Sequence, residues 1–105
     1  MIAAGLYPGF ESVEAHKPGL CRLDWNLDHL QPPFFPIAVN DSIHDDIACT
    51  LKYFLPSHFA RRIHCPISVS LGLHDDVTPS VGVFCAYNAI PGKRKTLTVD
   101  AEAGH

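Results

Sequence analysis

No apolar run approaches the ~18 residues needed to cross a bilayer, so no membrane-spanning helix is expected. The opening "MIAAGLYPGF" has no basic stretch and no long apolar core. A secretory leader is therefore not expected, and the cytoplasm is the expected location. Lysine and arginine never cluster beyond "GKRK", Gly92 to Lys95, and net charge is −3 with histidine neutral. Nucleic acid is thus a poor partner. The cysteines Cys21, Cys49, Cys65 and Cys85 show no CxxC spacing. Neither a disulfide framework nor a thiolate zinc site is expected. Three of them sit in apolar patterns, where a free thiol behaves as a small buried hydrophobe. Repeats and low-complexity tracts are missing as well.

What is present suits one small packed domain. Hydrophobic residues make up 47% of the 105, and charged residues 18%. That balance favours a core over a disordered tail.

The chain changes character near residue 40. Met1 to Asn40 carries Pro8, Pro18, Pro32, Pro33 and Pro36. Each proline removes a donor and biases its predecessor toward extended geometry. This segment is expected to be irregular, with at most one short turn of helix or strand. From Asp41 onward the patterns sharpen. Ile43, Ile47, Leu51, Phe54 and Leu55 recur at helical spacing, with cap oxygens at Asn40, Asp41 and Ser42 and a stop at Pro56. "HFARRIH" reads as a connector. Ile67, Val69 and Leu71 then alternate as a strand that ends near Gly72. Thr78 offers a cap and Pro79 a first helical position, and Val81, Phe84, Cys85 and Asn88 share a helical face. "IPGKRK" is a turn, and Leu97 and Val99 alternate in a last strand. Two strands joined by a crossover helix should run parallel.

In such a sheet, chemistry sits beyond the carboxyl ends of the strands. Asp75 and Asp76 leave the first strand there. Gly104 and His105 leave the second. An aspartate near a histidine on that edge is two thirds of a hydrolase triad.

The stretches "TLKYF", "HFARRIHCPISVSLGLHDD" and "VFCAYN", with the final Gly104-His105, resemble the C-terminal part of the acetyl xylan esterase and cephalosporin C deacetylase family. The resemblance covers about Asp46 to His105, a little over half the chain. The resemblance implies the C-terminal strand–helix–strand portion of an α/β-hydrolase. It implies deacetylation through an acyl-serine, on acetylated sugars or small acetyl esters, with no metal or organic cofactor. The family's triad acid falls on Asp75 and its histidine on His105. Asp76 falls beside them as a bystander near a helix start.

The nucleophile elbow GxSxG has no counterpart. Ser12, Ser42, Ser57, Ser68, Ser70 and Ser80 all lie in other contexts. The expectation is a truncated carboxylic ester hydrolase, with residues 1–40 an irregular segment and 41–105 the partial hydrolase region. Alone, it should be inactive and prone to self-association. Two other readings stay open. One is a non-catalytic packing or interaction module. The other is a metal-binding protein built on the repeated "HDD", His44 to Asp46 and His74 to Asp76, with His58 and His64. Trp25, Phe34 and Phe35 are expected to cover a sheet face.

Overall fold

A computed structural model describes residues 1–19, 21–22, 45–47, 49–50 and 52–105. Among the described residues, three strands form one parallel sheet in the order β1-β2-β3. They are β1 (Val13–His16), β2 (Ile67–Gly72) and β3 (Lys95–Asp100). Among the described residues, the helices with defined bounds are α1 (Ile2–Leu6), α2 (Pro56–Ala60) and α3 (Ser80–Ala89). Among the described residues, no helix is long and apolar enough to cross a membrane.

The parallel α/β expectation holds, with β2 flanked on both sides. Val13 pairs with Ile67, and Ile67 with Lys95. The first segment is less irregular than its prolines suggest, because it supplies both α1 and β1. "VEAH" is short and half polar, so its alternation is weak. It becomes a strand because β2 offers an unpaired row of amides and carbonyls beside it. Residues 23–40, with Trp25, Phe34 and Phe35, lie outside the described residues.

One sheet face is apolar. Ile67, Val69 and Leu71 point into a core with Ala4, Ala60, Ile63, Val83, Ala86 and Ile90. Ile63, Leu71, Val69 and Val83 are its largest fully buried side chains. Each contributes about 1.5–3 kcal/mol relative to an exposed position. The opposite face is polar. There Ser68 bonds Thr96 at 2.7 Å, and His16 Nδ1 lies 2.6 Å from Ser70 Oγ.

Several boundaries differ from expectation. Pro56 opens α2 as its first residue instead of closing a helix. A proline's missing amide is harmless in a first turn. The supposed connector "HFARRIH" therefore carries core residues Ala60 and Ile63. Residues 45–47 and 49–50 are helical, but Phe54, expected on the buried face, is exposed. Ile43 and Leu51 lie outside the described residues. The buried face of α3 is Gly82, Val83 and Ala86, not Val81, Phe84, Cys85 and Asn88. That helix is apolar nearly all round, so spacing cannot select its inner side. Pro79 is the N-cap, and the cap makes no side-chain hydrogen bond.

Cys21 is buried, and burial pushes its thiol up to about 11. It is a hydrophobe in practice. Cys21, Cys49, Cys65 and Cys85 are all free thiols.

Candidate functional site

β2 delivers Asp75 to the carboxyl edge of the sheet. Leu73 N bonds Asp100 O at 3.0 Å, so the chain leaves β2 still tied to β3. Asp75 follows and is buried, with 4% of its surface exposed. All of its polar capacity is used. Oδ1 accepts from the amides of Val77 at 2.9 Å and Thr78 at 2.7 Å. Oδ2 accepts from the Thr78 hydroxyl at 2.6 Å. Burial pushes the carboxyl up, but the bonds from Thr78, His105 and Val77 outweigh it and hold Asp75 below its ordinary value. The group is therefore a carboxylate at neutral pH.

The tail of β3 brings the histidine to the same point. Asp100 Oδ1 accepts from Glu102 N at 3.0 Å and Ala103 N at 3.1 Å, which turns the chain back. Ala103 O accepts from His74 N at 3.1 Å. His105 Nδ1 then lies 3.0 Å from Asp75 Oδ2 and 3.4 Å from Thr78 Oγ1. A carboxylate can only accept, so Nδ1 carries the proton and donates it to Asp75. Nε2 is left as a proton acceptor, and the His105 side chain is 51% exposed. This is an oriented base facing solvent.

The two residues expected to meet do meet. Asp76 is exposed and takes no part. Thr78 sits in the site instead of capping a helix, since its hydroxyl is spent on Asp75. A T at the third position after an acid is the signal for such a turn, because short side chains bond amides two and three residues on. Among the described residues no group of three or more histidine, cysteine or acidic side chains is gathered as for a metal. His44 lies outside the described residues. No serine hydroxyl among the described residues joins His105.

The sequence matches the family model for acetyl xylan esterase (AXE1) over residues 2–105. This chain belongs to the acetyl xylan esterase family. The match takes in residues 2–40 as well as the stretch that carries the quoted motifs. A curated relative is acetyl esterase Axe7A of Xylanibacter ruminicola, 28% identical over 107 residues. Those cover 92% of this chain and 22% of the relative. The acetyl xylan esterase from Paenibacillus sp. R4 superposes with a TM-score of 0.82 at 24% identity, covering 98% of this chain and 35% of that one. Acetyl xylan esterase 1 from Thermoanaerobacterium sp. JW/SL YS485 gives 0.78 at 28% identity, covering 97% and 35%. This esterase-family chain thus spans about a fifth to a third of the length of these relatives.

Proposed function

We propose that this chain carries the acid and the base of a serine acetylesterase site whose nucleophile lies outside its sequence. The observation behind the reading is the 3.0 Å contact between His105 Nδ1 and a buried, fully bonded Asp75. In the completed site, Nε2 of His105 takes the proton of a serine hydroxyl as the oxygen attacks an acetyl carbonyl. The same nitrogen returns the proton to the departing alcohol, leaving an acetyl-serine. Water then attacks that ester with the same base, releasing acetate. Asp75 keeps the imidazole in the tautomer that exposes Nε2, and it stabilises the imidazolium that forms. The substrate class is an acetylated sugar or a small acetyl ester, cephalosporin C among them. The scheme calls for no metal or organic cofactor.

The test is a hybrid protein. Residues 2–105 replace the matching segment of a complete family member, and acetate release from a small acetyl ester is measured. Asp75→Asn in that hybrid should lower turnover by about 10⁴, the loss seen when a triad acid is neutralised. A hybrid that keeps its full rate with Asp75→Asn would exclude the reading. The unmodified chain by itself should show no turnover above a free-imidazole control.

A further inference from the structure

We propose that Lys17 is a positioning residue that sets the orientation of the His105 imidazole. The inference rests on the acid–base reading of Asp75 and His105.

The main chain fastens the tail of β3 only as far as Ala103. Beyond it come a glycine and the histidine itself. Gly104 has the widest conformational freedom of any residue. Among the described residues, no main-chain hydrogen bond beyond the Ala103 oxygen ties this tail to the sheet, and the ring itself is held only through Nδ1 by Asp75 and Thr78. Among the described residues, Lys17 supplies the missing hold. Its Nζ donates to Gly104 O at 2.6 Å and to His105 O at 2.8 Å. One ammonium thus grips the two main-chain oxygens on either side of the bond that aims the ring.

The sheet places Lys17 for this reach. Lys17 N bonds Ser70 O at 2.9 Å, which carries the β1–β2 ladder one residue past His16. The His16–Ser70 side-chain bond pins the same spot from the polar face. β1 and β3 are not neighbours, so the lysine must cross the end of β2 to meet the tail of β3. It links residues 87 and 88 positions apart in sequence.

The backbone at Lys17 adds an independent argument. Its φ is 45°, the left-handed region, where it stands alone among the described non-glycine residues. Glycine adopts that conformation without steric penalty, whereas a residue with a Cβ does not. A lysine at such a point implies that its side chain is used. It also provides a clean experiment, because Lys17→Gly deletes the ammonium while relieving the backbone.

The measurement is nitrogen NMR of the His105 ring in the 105-residue chain, at about pH 8.5, where an ordinary imidazole is neutral. The native chain should show the Nδ1–H tautomer. In Lys17→Gly the amides of Val77 and Thr78 should keep their shifts, since Asp75 still binds them. The ring should lose its Nδ1–H signal and average between tautomers. Lys17→Gln should behave the same way, and covers the case in which the glycine variant does not fold. Lys17→Arg keeps a charged donor and should retain the signal. An unchanged ring signal in Lys17→Gly or Lys17→Gln would overturn the proposal. So would loss of the signal in Lys17→Arg as complete as in Lys17→Gly. Asp75→Asn in the native background separates the two levels. If it leaves the ring signal unchanged, the acid–base pair itself is wrong and both ideas fall. If it shifts the signal and Lys17→Gly does not, only the role of Lys17 is lost.

Discussion

A side chain on Gly72 would collide with the carbonyl oxygen of Ala103. The two residues lie at the ends of neighbouring strands, and the contact shows how the site is assembled. The tail of β3 folds back over the last residue of β2, in space that only a glycine leaves open. His74 N, two residues on, catches the same Ala103 oxygen. The histidine reaches Asp75 because its chain crosses there.

Gly72→Ala should therefore push the tail of β3 away from the sheet. Overpacking against backbone typically destabilises by about 1–3 kcal/mol. Gly92→Ala is the control. Gly92 has φ +80° and open space around it, so alanine there strains the backbone and touches nothing. It should destabilise by roughly 1 kcal/mol and leave the site intact. Urea melts of both variants should show similar or larger losses for Gly72→Ala. In the hybrid enzyme, only Gly72→Ala should lower turnover.

Thr78→Val removes the hydroxyl that donates to Asp75 Oδ2 within a buried site. A buried carboxylate left one donor short costs about 1–3 kcal/mol. Thr78→Ser keeps the donor and should lie within about 1 kcal/mol of the native chain. Urea unfolding at neutral pH checks the order. Equal midpoints for Thr78→Val and the native chain would show that the hydroxyl bond is dispensable.

Asp75 makes stability depend on pH in a definite direction. Its carboxyl titrates lower in the folded chain than the ordinary value of 3.8. In the window between the two values, the unfolded chain binds more protons, so stability rises with pH. The contribution is complete above 3.8 and is lost as pH falls through the folded value below it. The stability gap between the native and Asp75→Asn chains should hold constant from about pH 7 to about pH 4 and narrow in stronger acid. Denaturant melts across that range measure it. A gap that stays constant into stronger acid would place the Asp75 carboxyl at its ordinary value.

The neighbouring acid is the specificity control for the site. Asp76 is exposed and outside the hydrogen-bond network around His105. In the hybrid enzyme, Asp76→Asn should keep its rate within about tenfold, against the ~10⁴ expected for Asp75→Asn. Steady-state deacetylation of one acetyl ester compares the two. If Asp76→Asn were the crippled variant, the acid would have been placed one residue too early.

Much of this chain could be read directly. Ile67, Val69 and Leu71 alternate plainly and become the central strand. Asp75 and His105 could be matched to family positions from short motifs, and the parallel order followed from the crossover helix between two strands. Local patterning carries such features because burial period and cap chemistry act within a few residues. The inner face of α3 was illegible, since Val81, Val83, Phe84 and Ala86 are all apolar and only the sheet chooses among them. β1 was illegible for a different reason: "VEAH" has no persuasive period of its own.

Local patterns and short motifs were enough to set out the strand–helix–strand unit and to single out Asp75 and His105. The tertiary structure decided how they are held. It made "VEAH" a strand by offering it the open edge of β2. It turned Thr78 from a cap into a donor for Asp75, and it carried the ammonium of Lys17 across β2 to the oxygens of Gly104 and His105. These are contacts between segments distant in the chain. No local propensity encodes them, because the partner that satisfies each donor is chosen only when the strands are laid side by side.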